Sequence, residues 1–203
     1  MILAVLAGDL QKEEIAASAF FRKHEVQFSE NFSLWSNHIA DVFIDLSFEY
    51  APERIEKLAR LLPKPVLVNS VTDTLARIHP EFIRINGWPG FLKGSSIECA
   101  ANEAMQKKAG DLFGEDLVFV KDVPGFVSAR IVAMIINEAF YTWEAGISSK
   151  EEIDLAMKLG TGYPMGPFEW SDLIGVDRVS HLLERLNETD PLYELAQTLK
   201  LKA

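Results

Sequence analysis

The sequence predicts an α/β domain on a doubly wound parallel sheet over residues 1–120, followed by a smaller all-helical domain over residues 121–203. Three observations predict it. Ile2–Ala7, apolar throughout, reads as a parallel-type strand buried on both faces, and the short runs Ala40–Leu46 and Pro65–Ser70 read as further strands. Helical stretches alternate with these runs up to Val120, as strands joined by helical crossovers do. From Lys121 onward the apolar residues recur at helical spacing, and the punctuation changes to Gly/Pro turns and capping signals.

Taken in order, Ile2–Ala7 is the first strand. Gly8 and Asp9 turn the chain, and Asp9 reads as the N-cap of a helix from Leu10 to Lys23. Glu25–Ser29 and Ala40–Leu46 are the next strands, and a helix follows from Pro52 to Leu62. Pro65–Ser70 and Phe82–Asn86 are strands, with a further short one at Ser96–Cys99. A helix covers Ala101–Phe113, and Leu117–Val120 closes the sheet. Lys121–Pro124 is the expected boundary. A long helix then opens at Pro124, whose missing N–H costs nothing in a first turn, and Gly146 stops it. Ser149 and Glu152 make a capping box for a helix ending at Gly160. Pro167 opens another, and Asp190 with Pro191 caps and opens the last.

Composition narrows the function classes. With 203 residues and 48% hydrophobic content the chain holds enough apolar surface for two cores. A formal charge of −10 argues against nucleic acid and against anionic membrane surfaces as partners. The single cysteine, Cys99, excludes an internal disulfide and fits a reducing cytoplasm. The apolar start is too short for a membrane span and lacks the basic flank of a signal peptide. His24, His38, His79 and His181 are scattered, with no metal-ligand spacing, so no metal site is expected. Glu13, Glu14, Glu53 and Glu56 read as solvated helix faces, Cys99 as a small core residue, and Trp88 and Trp170 as packing residues.

Long motifs in the helical half carry a resemblance. They are Asp122-Val-Pro-Gly-Phe126, Ile153-Asp-Leu-Ala-Met-Lys-Leu-Gly160, Gly162-Tyr-Pro-Met-Gly-Pro-Phe-Glu169 and Asp172-Leu-Ile-Gly-Val-Asp177. By these the chain resembles the 3-hydroxyacyl-CoA dehydrogenases, above all the 3-hydroxybutyryl-CoA enzymes, as a short and degenerate member. The resemblance implies a Rossmann domain that binds NAD, oxidation of short-chain 3-hydroxyacyl-CoA in fatty-acid metabolism, and a homodimer built through the helical domain. It also implies an acyl-CoA-like small-molecule partner. The ten residues between Ser29 and Ala40 leave no room for the helical hairpin with which the family touches coenzyme A.

The family's functional positions are substituted. A dinucleotide fingerprint needs glycine for a tight turn, for approach of the pyrophosphate and for helix packing. Those positions fall on Ala7, Asp9 and Lys12, with Gly8 between them and Glu30 as the acidic candidate for ribose. Asp9 sets a carboxylate beside the pyrophosphate, so NAD binding is expected to be weak or absent. The family's catalytic His falls on Asn86 and its partner Glu on Glu98. An amide donates and accepts hydrogen bonds but takes no proton at neutral pH. The active-site Asn falls on Ala129 and the substrate-side Ser on Val71, while Asn69 is retained and is expected to shape its turn. Glu98 reads as a remnant or as a partner of Arg84 or Lys93, and His79 is a candidate for a replacement base. Two functions follow: a family oxidoreductase with weak or lost activity, or a non-catalytic dimeric relative that binds or regulates.

Overall fold

The computed structural model describes residues 1–200, which fall into two compact units, Met1–Phe126 and the residues from Val127 on. The first holds a seven-stranded sheet ordered β2-β1-β3-β4-β5-β6-β7. Its elements are β1 (Ile2–Leu6), α1 (Asp9–Ala17), β2 (Glu25–Ser29), α2 (Phe32–Trp35), β3 (Val42–Asp45), α3 (Pro52–Ala59), β4 (Val66–Asn69), β5 (Ile83–Ile85), β6 (Ile97–Ala100), α4 (Glu103–Phe113) and β7 (Leu117–Phe119). All neighbouring pairs are parallel except β5 with β6. The period-2 alternation of strand side chains explains the apolar runs. In β1, Leu3 and Val5 join the core that holds Ile15 and Phe113, while Ala4 and Leu6 join the core that holds Trp35 and Leu58.

Several boundaries differ from the sequence reading. The helix expected over 10–23 ends at Ala17, and Phe21–Lys23 forms a separate 3-10 turn. Glu14 is not on a solvated face but buried, 1% exposed. The helix expected from Pro124 begins at Ser128. Gly125 and Phe126 both take positive φ, +81° and +49°, a conformation no helix contains, so the chain cannot enter the helix before them.

The second unit comprises α5 (Ser128–Glu144), α6 (Lys150–Thr161), α7 (Pro167–Ile174), α8 (Val176–Asn187), a 3-10 turn at Pro191–Tyr193 and α9 (Gln197–Lys200). The Ser149–Glu152 capping box forms as predicted. The helix before Gly160 runs one residue further, and Gly162 takes the left-handed C-cap at φ +72°. Asn137 of α5 fastens the C-terminal segment, donating to the Glu194 carbonyl at 2.8 Å and accepting from the Ala196 N–H at 2.9 Å. No helix among the described residues is long and apolar enough to cross a membrane.

Candidate functional site

β1, β3, β4 and β5 run parallel, so Leu6, Asp45, Asn69 and Ile85 end on one edge of the sheet. The strand order reverses at β1, with β2 on one side and β3 on the other. In open α/β sheets the ligand crevice lies outside the carboxyl ends at such a switch point.

At the β1 end the first helical turn is arranged differently from the sequence reading. Ala7 keeps a strand-type bond to the Ser29 carbonyl at 3.2 Å, and the Lys12 N–H donates to the Gly8 carbonyl at 3.0 Å. Gly8, not Asp9, is therefore the N-cap. The Asp9 side chain, 93% exposed, points to solvent and accepts from Lys12 Nζ at 3.3 Å. Lys12 also pairs with Glu30, just beyond the end of β2, and that hydrogen bond holds the lysine pKa above its ordinary value. The acid expected to meet ribose is thus engaged by a lysine of the same chain.

At the β3 and β4 ends, Asn69 does shape its turn: Nδ2 donates to the Leu46 carbonyl at 3.2 Å and Oδ1 accepts from the Gly87 N–H at 3.0 Å. Asp45 is buried and gripped by both Nε and Nη2 of Arg54. Burial pushes its pKa up to about 6, against the pull of Arg54.

At β5, the structure brings Asn86 and Glu98 together, the Asn86 N–H donating to the Glu98 carbonyl at 3.0 Å. Asn86 is buried, and its Oδ1 accepts from the Trp88 N–H at 3.4 Å. Glu98 is not the partner of Arg84. The register sets Arg84 opposite Ala100, and its guanidinium turns to the Asp122 carboxylate and to the carbonyls of Ser70 and Val71. Val71 is buried, so no hydroxyl stands at that position. Ala129 lies in the other unit, fully buried in the first turn of α5.

The remaining candidates drop out on geometry. His79 precedes β5 and so lies at the strand end opposite Asn86; its ring stacks on Phe82 and its Nδ1 accepts from the Glu81 N–H. Burial drives the Cys99 thiol up to about 12, which leaves it an inert core group. No cluster of three or more His, Cys, Asp or Glu able to hold a metal is present among the described residues. Sequence reasoning missed Gln11 altogether, took Glu14 for a solvated residue and Arg84 for a partner of Glu98. The only signal was for Arg84, a lone cation in the apolar strand FIRIN.

Comparison with known proteins gives the following. Residues 125–202 match the family model of the 3-hydroxyacyl-CoA dehydrogenase C-terminal domain. The mitochondrial hydroxyacyl-coenzyme A dehydrogenase of Rattus norvegicus is 46% identical over 84 residues, 41% of this chain and 27% of that enzyme. The chain therefore spans about a quarter of the length of that relative in the matched stretch. The crystal structure of (S)-3-hydroxybutyryl-CoA dehydrogenase from Ralstonia eutropha is similar at a TM-score of 0.67 and 25% identity, covering 87% of this chain and 69% of that one. FadB2 of M. tuberculosis is similar in fold at a TM-score of 0.71 and 18% identity, covering 98% and 92%.

Proposed function

We propose that this chain, whose helical half belongs to the 3-hydroxyacyl-CoA dehydrogenase C-terminal domain family, is an oxidoreductase scaffold whose turnover of short-chain 3-hydroxyacyl-CoA is weak or lost. One observation carries the proposal. The group beside Glu98, where the family's base belongs, is the buried amide of Asn86, whose oxygen already accepts a backbone N–H. An amide cannot remove the hydroxyl proton while hydride leaves. The family's two other polar positions, which fall on Val71 and Ala129, carry no polar side chain. Oxidation of 3-hydroxybutyryl-CoA, followed as NADH absorbance, is expected at least about 100- to 10,000-fold below a typical enzyme rate. Turnover near 1 per second would overturn the proposal. Asn86→His alone is expected to restore nothing, because the cofactor site fails separately.

NAD, implied by the family, does not fit the residues present, and no step is routed through it. None of the three fingerprint positions is glycine, Glu30 is engaged by Lys12, and the Gln11 side chain reaches from α1 to the Leu46 carbonyl at the β3 end. Asp9, expected as the cap of the first helix, points outward instead, and Gly8 takes that place. Its charge remains near the phosphate path but is screened by solvent.

The second part of the proposal is a homodimer through the helical unit. A cavity of about 400 Å³ between α5 and α6 is lined by Ile135, Ala139, Ile147, Ala156 and Met157. Of these, Ile147 is 72% exposed, and Ile131 on α5 and Leu155 and Leu159 on α6 are exposed as well. Exposed apolar surface of this extent on two helices favours a protein partner. Light scattering at micromolar concentration is expected to give about twice the chain mass of 22.8 kDa; the monomer mass would refute the dimer.

A further inference from the structure

Residues 87–94 form a strap across the carboxyl edge of the sheet. Leaving β5, the chain passes the ends of β4 and β3: Gly87 N–H donates to Asn69 Oδ1, and the Gly87 carbonyl accepts from Gln11 Nε2 at 3.3 Å. The same Nε2 donates to the Leu46 carbonyl at 3.2 Å. The strap then runs along α1. Gly90 N–H donates to Glu14 Oε1 at 2.6 Å, and the Gly94 carbonyl accepts from Ser18 Oγ at 2.9 Å and from the Phe20 N–H at 3.5 Å. Gln11, Glu14 and Ser18 stand at i, i+3 and i+7, one face of the helix and its end. Their partners Gly87, Gly90 and Gly94 have the same spacing. Two of these glycines are required: a Cβ on Gly87 would lie 2.9 Å from Asn69 Cγ, and Gly90 has φ +94°. Trp88 and Leu92 fix the strap from beneath, both buried.

We infer that this strap is an autoinhibitory contact that seals the switch-point crevice. The Gln11 carboxamide and the Gly87 backbone fill the gap between the α1 N-terminus and the β3 end, where a dinucleotide would cross the sheet edge. Glu14 is the fastening most open to release. Its carboxyl is buried, one oxygen is held by Gly90, and the other has no partner among the described residues, so its burial is only half compensated. The inference takes a dinucleotide as ligand class from the proposed function and adds occlusion by the strap to the missing glycines as a barrier, in place of the charge of Asp9.

The experiment separates these causes. NADH binding by calorimetry and amide exchange by NMR are measured on the full chain, on Asp9→Gly, and on Asp9→Gly with Gln11→Ala and Glu14→Ala added. Asp9→Gly alone is expected to bind no better than the unmodified chain. The triple variant is expected to bind at least tenfold more tightly, with the Gly90 and Phe20 amides exchanging at least tenfold faster and those of β3 and β4 unchanged. Tight binding by Asp9→Gly alone would overturn the sealing and leave the charge as the barrier. Faster strap exchange without tighter binding would overturn it as well. Should the triple variant fail to fold, Asp9→Gly with Gln11→Ala gives the same comparison, with the same outcomes deciding it.

Discussion

Truncating Asp122 to alanine is expected to destabilise the first unit by about 3–5 kcal/mol, the usual cost of stranding a buried charge. Arg84 is fully buried in β5, and Asp122 is the carboxylate it pairs with. Burial already works against the charged guanidinium, which draws its pKa below the ordinary arginine value. Without Asp122 the cation keeps only carbonyl partners, Ser70, Val71 and Val123, and the face of Phe126 at 4.6 Å. Asp122 also accepts from the Leu75 N–H at 3.0 Å, so that loop loosens too. Arg84→Met is expected to cost less, about 2–3 kcal/mol, because it removes the charge along with its partners and fills the space with an apolar chain. The double variant is then expected to fall well short of the sum, since the two residues act as one unit. Urea unfolding of the three variants checks the order. A loss under about 1 kcal/mol for Asp122→Ala would show that the pair does not anchor the 122–126 segment.

That pair also marks where the sequence stopped being legible. The central strands could be read because β1, β3 and β4 are buried almost throughout, and the caps because they are local: Ser149 with Glu152 opens α6, while Asp190 ahead of Pro191 caps a 3-10 turn rather than the last helix. The pairing of Asn86 with Glu98, set by their spacing in the motif, does appear where β5 meets β6. What could not be read was partner choice over long separations. Arg84 finds Asp122 rather than Glu98, and Glu14 finds Gly90 rather than water. Asp9 failed for a different reason. Its competition with Gly8 for the cap was decided by where strand pairing ended, at Ala7 with Ser29, and no propensity of Asp9 reports that.

The helical unit offers the second large effect, at Gly166. Its dihedrals, φ −77° and ψ 163°, suit any residue, so the requirement for glycine is one of space. A Cβ there would lie 2.3 Å from both Cβ and Cγ of Asp154 on α6. No rotamer of Asp154 relieves a contact with its own Cβ, so α6 and α7 must move apart. They are close for a reason. Pro167 opens α7 without an N–H, which leaves the N–H groups of Phe168 and Glu169 as the donors in need of a partner. Asp154 reaches across to both, Oδ1 accepting from Phe168 at 2.8 Å and Oδ2 from Glu169 at 3.1 Å. Glu169 in turn accepts from the Gly166 N–H at 2.9 Å and pairs with Lys158. Gly166→Ala therefore adds an overpacking cost of about 1–3 kcal/mol to the loss of a cap worth about 0.5–2 kcal/mol. The expected total is about 2–4 kcal/mol. Asp154→Asn keeps the shape but turns one acceptor into a donor facing an N–H, and is expected to cost about 1–3 kcal/mol. Thermal unfolding monitored through Trp143 and Trp170 fluorescence reads both. If Gly166→Ala unfolds within about 1 kcal/mol of the parent, the close approach of α6 to α7 is not what fixes glycine at this turn.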